Sequence, residues 1–264
     1  MSSLGLAIPN YERTDNVIRL VERHLEKGVV DEIVVCDDGS SSRTIESLRS
    51  RLPLSDDRVR LIENRENLGA FRNKARTVAR CRSPWVVLCD SDNWIDESYI
   101  DRLRRLHDEA SWSTDTIYCP IHARPAFDFT EMRPSVVDDI DGLRSLLGHT
   151  TGSVFLNTGN YLVPRDAYVR VARAAPLFGL DPRRCFAADV VFFNILWIAC
   201  GNRLRCVEGL AYEHSHENAD SFWRRSRRRS KRFIRQLRER IDDTVALGAA
   251  IPQNPRSDDV GRPK

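Results

Sequence analysis

Two apolar runs in this chain each break off directly into acid. Glu32-Ile33-Val34-Val35-Cys36 leads into Asp37-Asp38-Gly39-Ser40, and Trp85-Val86-Val87-Leu88-Cys89 leads into Asp90-Ser91-Asp92-Asn93. Short, uniformly apolar runs read as strands covered on both faces, the habit of parallel sheets, because a strand with one wet face would alternate. A third run, Leu4 to Ile8, ends the same way at Pro9-Asn10. Between the runs the spacing turns helical: Val17, Ile18, Val21 and Leu25 share one face of a helix over Thr14 to Lys27, with Gly28 just past its end. Phe71, Ala75, Val78 and Ala79 recur likewise between Gly69 and Cys81. This alternation predicts an α/β fold, a mainly parallel central sheet flanked by helices. In such sheets ligands bind beyond the carboxyl ends of the strands. The acids Asp37, Asp38, Asp90 and Asp92, with Asn10 and Tyr11 after the first strand, are therefore expected to share one rim.

The same reading gives strands at Val59 to Ile62, Thr116 to Pro120, Asn160 to Val163 and Leu204 to Val207. It gives helices near Asp96 to Ala110, Asp139 to Leu147 and Ala187 to Cys200, and a mobile loop over Ala123 to Pro134. A basic helix from about Asp220 to Arg240 closes the pattern. Residues 1–218 are expected to form the globular domain, 219–248 a basic amphipathic C-terminal helix and 249–264 a disordered tail rich in Pro, Gly and charge.

Basicity is local. The stretch Trp223 to Arg240 holds ten Lys or Arg against Glu239, a local charge of +9 within a chain of net +3, which leaves −6 elsewhere. No apolar run approaches the ~20 residues needed to cross a bilayer, and the start MSSLGLAIPNYER lacks a signal-peptide pattern. A cytoplasmic protein, in peripheral membrane contact at most, is the expectation. Seven cysteines with no CxxC pair, most of them among apolar neighbours, suit reduced buried thiols better than disulfides or a zinc site.

Asp90-Ser91-Asp92 puts two carboxylates on one turn at the end of a buried strand. Carboxylate oxygens are hard ligands suited to Mg²⁺ or Mn²⁺, and such an ion beside a diphosphate neutralises the charge that grows as it departs. The triplet stands in order after Ala7-Ile8-Pro9-Asn10-Tyr11-Glu12-Arg13, Glu32 to Ser40 (EIVVCDDGS) and Asn67 to Asn73 (NLGAFRN), and within VVLCDSDNW. Those four motifs together resemble the GT-A fold glycosyltransferases of family 2, closely over residues 4 to 100 and more loosely over 150 to 222.

The resemblance implies a nucleotide-sugar donor, more often a UDP-sugar than a GDP- or dTDP-sugar, an acceptor hydroxyl on a glycan or a lipid-linked glycan, and inversion by single displacement. By position, it gives the nucleoside to Pro9, Asn10, Tyr11 and Asp38, the last accepting the N3–H of a uracil, with Arg72 near the nucleotide or its phosphates. One aspartate of the Asp37-Asp38 pair would suffice to cap the turn before Gly39. Asp90 and Ser91 fall to the donor and Asp92 to the metal, with Asp90 a weaker metal ligand. Asp189, ahead of the apolar helix Val190-Val191-Phe192-Phe193, matches the family's acid that takes the acceptor proton; the family usually has a pair there, and this chain has Ala188 at the first position. In Tyr212-Glu213-His214-Ser215-His216, either His214 or His216 is placed to complete the metal shell, with His216 narrowly preferred. Asn160 lies where the family shapes the acceptor side, and Trp94 could stack on a sugar or pack in the core.

The basic helix admits three uses: docking on an anionic membrane, holding phosphates, or binding nucleic acid. A nucleic-acid or anionic-surface protein on an inactive scaffold is the rival reading. It explains the arginines but leaves two acidic strand ends and Asp189 without purpose, since carboxylates repel phosphate backbones, so no nucleic-acid partner is expected. A sugar-phosphate nucleotidyltransferase would carry a Gly-rich loop after the first strand, where this chain has Pro9-Asn10-Tyr11.

Overall fold

The structure is a computed structural model that describes residues 2–131, 136–214, 222–249 and 251. Its amino-terminal half is built as the apolar runs require. Strand β1 (Leu4–Asn10) is buried along its whole length and leads into helix α1 (Asp15–Lys27), which presents Val17, Ile18, Leu20 and Val21 to the sheet and ends at Gly28 in the left-handed conformation. Then come β2 (Glu32–Asp37), α2 (Ser42–Arg51), β3 (Val59–Glu63), α3 (Ala70–Arg80), β4 (Trp85–Leu88) and α4 (Glu97–Glu109), with Asp96 capping α4 by accepting from the Tyr99 amide. Strands β1, β2, β3 and β4 are all parallel, so β1, β2 and β4 deliver their carboxyl ends to one edge.

The second half departs from a parallel plan. Strand β5 (Thr116–Arg124) is followed by the short strands β6 (Phe127–Asp128) and β7 (Val136–Val137), helices α5 (Ile140–Gly148) and α6 (Thr150–Leu156), β8 (Leu162–Pro164) and α7 (Arg165–Ala174). Helix α8 (Asp189–Ala199), strand β9 (Arg203–Glu213) and helices α9 (Phe222–Glu239) and α10 (Ile241–Ala249) complete the order. The sheet runs β3-β2-β1-β4-β8-β5-β9-β7, with β6 paired to β5. Strand β8 lies antiparallel between β4 and β5, and β7 lies antiparallel on β9, so the sheet is parallel in its first half and mixed beyond it.

Several expected elements shift. The segment read as a mobile loop holds the β6 hairpin, in which Phe127 pairs with Ala123, while residues 132–135 lie outside the described set. Helix α2 escaped the reading because it buries Leu48 alone and so shows no apolar stripe. The basic region is two helices instead of one: α9 ends at Glu239 and α10 turns back to lay Gly248 against Ala199 of α8. Helix α9 seats Ser226, Ser230, Phe233 and Leu237 inward, and the Phe233 ring meets Phe192 at 5.2 Å. All seven cysteines are free and buried. Of the tail expected over 249–264, Ala249 is the last residue of α10, and residues 250 and 252–264 lie outside the described set.

Candidate active site

Register fixes which side chains meet at the rim. Asn10 pairs with Asp37 across β1 and β2, the Asp38 amide donates to the Asn10 carbonyl (2.8 Å), and the Cys89 amide donates to the Ala7 carbonyl (2.9 Å). The acidic turns after β2 and β4 therefore leave the sheet on the same edge, on either side of β1.

The first turn is held by its own aspartates. Asp37 accepts from the Asn10 side chain (2.9 Å), the Ser40 amide (2.8 Å) and the Ser40 hydroxyl (2.7 Å), an Asx-type cap. Asp38 reaches forward to the Asn67-Leu68-Gly69 loop, where it accepts from the Leu68 amide (2.8 Å), the Gly69 amide (3.0 Å) and the Asn64 side chain (3.0 Å). Three donors leave one of the roughly four lone-pair positions of that carboxylate for a ligand. Gly39 makes the approach possible: its φ is +72°, and a Cβ there would stand 2.8 Å from the Glu66 carbonyl carbon and 2.9 Å from the Asn67 nitrogen. Gly39→Ala is accordingly expected to lower stability by about 1–3 kcal/mol, from left-handed backbone strain and from loosening the Asp38 latch. Equilibrium urea unfolding checks this, and a midpoint equal to the parent's would refute it.

Beyond β1 the chain exposes Tyr11 (47%) and pins Glu12 to the start of α2 through Ser41 and Thr44, which holds the Glu12 carboxyl below its ordinary range. Pro9 and Asn10 are buried, so Tyr11 is the member of that trio open to a ligand.

The second turn is where charge concentrates. Lys74, on the inward face of α3, forms ion pairs through Nζ with Asp90 Oδ1 at 2.8 Å and with Asp189 Oδ2 at 2.9 Å. Burial by itself would lower the Lys74 pKa; the carboxylates of Asp189 and Asp90 outweigh it and hold the ammonium well above its ordinary value. Asp92 meets Arg13 at 3.1 Å. Its carboxyl is pushed up by burial first and by the Asp90 charge second, with Arg13, Lys74 and His214 opposing. Ser91 between them is buried. Asp189 opens α8 with its side chain 7% exposed, so the strand-end acid and the helix-start acid share a single cation.

The structure brings Asp90, Asp92 and Asp189 together and places His214, the residue after β9, close enough to influence Asp92. His216 lies outside the described residues. Two expected side chains do something else, and Trp94 takes the packing role that the sequence left open. Arg72 is exposed on the outer face of α3, where it lines a groove against α7, because Lys74 two residues on takes the inward direction. Asn160, expected on the acceptor side, is 1% exposed; at φ +63° its Oδ1 accepts the Asp90 amide (2.8 Å) and its carbonyl accepts from the Tyr99 hydroxyl, so it positions the turn. Trp94 pairs its backbone with Glu213 of β9 and has Arg19 of α1 over its ring at 4.9 Å, which covers one face.

Lys74 and Arg13 were missed by sequence reasoning. For Lys74 a signal existed: with Phe71 and Val78 it falls on the buried stripe of α3, where a lysine needs an acid partner. Among the described residues no three His, Cys, Asp or Glu converge to hold a metal ion by themselves. Mg²⁺ and its kin are commonly held by one or two carboxylates with substrate phosphates filling other positions, and a cation would relieve the Asp90 repulsion that adds to burial in raising Asp92. The donor set fits such an ion on those terms.

Comparisons with known proteins bear on the family and the fold. The profile of glycosyl transferase family 2 matches residues 6–157. The chain is 35% identical over 101 residues to the succinoglycan biosynthesis protein ExoO of Rhizobium meliloti (strain 1021), covering 38% of this chain and 27% of that protein. It is 29% identical over 100 residues to the chondroitin synthase of Escherichia coli, covering 37% of this chain and 14% of that one, so it spans about a quarter or less of these relatives. Among solved structures, S. aureus TarS residues 1–349 with UDP-GlcNAc aligns at TM-score 0.54 and 15% identity over 83% of this chain and 60% of that one. GalNAc-T7 with UDP, GalNAc and Mn²⁺ aligns at 0.60 and 12% over 92% and 50%. At such identity the likeness is one of fold, that of the GT-A glycosyltransferases.

Proposed function

The chain belongs to glycosyl transferase family 2, and from that membership we propose that it transfers a sugar from a nucleoside diphosphate donor, UDP-linked, to an acceptor hydroxyl. The observation that carries this reading is the Lys74 bridge, which sets the candidate base Asp189 against the DxD turn within one side chain's reach. Asp189 would take the acceptor proton as the hydroxyl oxygen attacks the anomeric carbon, and the nucleoside diphosphate would leave from the opposite side, inverting that centre. Asp92, with Asp90 and His214 beside it, would hold a divalent cation that, when bound, supplies charge neutralisation to the departing diphosphate. Lys74 and Arg13 would stand next to the same phosphates, and Tyr11 and the remaining lone pair of Asp38 would face the nucleoside. The two neighbours crystallised with UDP or UDP-GlcNAc support a uridine donor. A glycan or lipid-linked glycan is the proposed acceptor, with the exposed arginines of α9 as the candidate contact with an anionic membrane surface. Among the described residues no helix is long and apolar enough to cross a membrane.

A thermal-shift titration tests the donor site. UDP with Mn²⁺ at a hundredfold excess over Kd is expected to stabilise the protein by about 2.7 kcal/mol. Asp92→Asn is expected to remove the part of that gain that needs Mn²⁺. No response to any nucleoside diphosphate would refute the donor site, and a full response without metal would refute the role of Asp92.

A further inference from the structure

Behind the transfer site, on the face of α3 opposite Lys74, a groove of about 760 Å³ runs between α3 and α7. Four guanidinium groups line it: Arg72 and Arg76 one helical turn apart on α3, Arg173 on α7, and Arg183 in the turn that precedes α8. Their surroundings are short of negative charge. Asp181 is the acid on the groove wall, and it is taken by Arg183, accepting from its amide (2.9 Å) and its guanidinium (3.4 Å). The side chains of Arg72, Arg76 and Arg173 have no ion pair or hydrogen bond among the described residues, and the buried Nε of Arg76 has no acceptor. Between the arginines the groove is apolar, with Phe71, Ala75, Val169 and Leu180 along it.

Like charges gathered in this way repel, and a buried donor without an acceptor costs free energy, so the arrangement is one that an anion would relieve. Guanidinium forks match phosphate oxygens in a bidentate manner, which favours a phosphate over a point-like anion. The apolar wall beside them has no use for a fully hydrated ion but would cover a hydrocarbon chain. We propose that the α3–α7 groove is a second ligand site, which takes an amphipathic phosphate ester: the phosphate on Arg76 and Arg173, flanked by Arg72 and Arg183, and the chain along Ala75, Val169 and Leu180. The groove and the transfer site share α3, with Lys74 on one side and Arg76 on the other, and Arg183 stands six residues before Asp189. The assignment does not rest on the transfer reaction and stands or falls apart from it.

Isothermal titration of the full chain with decyl phosphate below its micellar concentration, with inorganic phosphate and with decanol, tests the site. The expected result is decyl phosphate binding at least tenfold tighter than either inorganic phosphate or decanol, an affinity that falls at least tenfold in the double variant Arg76→Gln, Arg173→Gln. Removing repelling charges should leave the melting temperature of that variant no lower than the parent's, which separates lost binding from lost folding. Asp92→Asn, altered at the rim, should bind decyl phosphate as the parent does. Equal binding by parent and double variant, decanol as tight as decyl phosphate, inorganic phosphate as tight as decyl phosphate, or loss of binding in Asp92→Asn would each overturn the proposal.

Discussion

Replacing Asp189 by asparagine is expected to lower kcat by roughly 10²- to 10⁴-fold, the range associated with loss of a positioned general base. Asparagine keeps the size of the side chain and an oxygen that can accept from Lys74, so the start of α8 should hold its place and the donor should bind within a few-fold of its parent affinity. A drop in kcat with donor binding kept would separate a proton-transfer role from a structural one. The position argues for this outcome: Asp189 is the acid of the first turn of α8, its neighbours Ala188 and Val190 are buried, and its one ion-pair partner among the described residues also holds Asp90. Turnover within tenfold of the parent would sink Asp189 as the base. The same assay reports stereochemistry: a product anomer inverted relative to the donor, read by NMR, fits single displacement with Asp189 as the only base, and retention would not.

What could be read from the residues was what the backbone and the hydrophobic effect decide locally. The three apolar runs became β1, β2 and β4, and their order put the acidic turns that end β2 and β4 on one edge; that Lys74 would tie Asp90 to Asp189 was not read from the sequence. Interactions that close over distance were not legible. The strand read at Asn160 to Val163 is β8, but its antiparallel place between β4 and β5 depends on partners far along the chain, and α2 has one buried apolar side chain and so no stripe to detect. At the site, Arg72 was chosen from its motif, whereas direction on a helix is set by the 100° step between residues: two positions on, Lys74 faces inward and Arg72 faces the α7 groove. Asn160 was read as an acceptor contact from its place in the family pattern; its left-handed backbone and its bond to the Asp90 amide make it part of the scaffold.

Lys74→Met is expected to destabilise the fold by about 3–5 kcal/mol, the usual cost of removing one partner from a buried ion pair. At this chain length that corresponds to a fall in Tm on the order of 10 °C. Methionine fills much of the same volume, so the loss would come from charge: Asp189, whose side chain is 7% exposed, and Asp90, at 27%, would face each other with no cation between them. The double variant Lys74→Met, Asp189→Asn should recover part of the loss, since one of the stranded charges is gone, and the coupling energy from the four-protein cycle should be of the same sign and well above 0.5 kcal/mol. The pH dependence has a definite direction. Because the carboxylates hold the folded Lys74 pKa well above its ordinary value, its contribution is complete below the unfolded lysine's ~10.4 and fades only as pH rises through the higher folded value. The gap in Tm between parent and Lys74→Met should thus stay constant from pH 7 to pH 10 and narrow above that. A gap that widened with alkali, or a Lys74→Met protein as stable as its parent, would mean that the ammonium does not bind the two carboxylates together, and the proximity of Asp189 to the DxD turn would lose its physical basis.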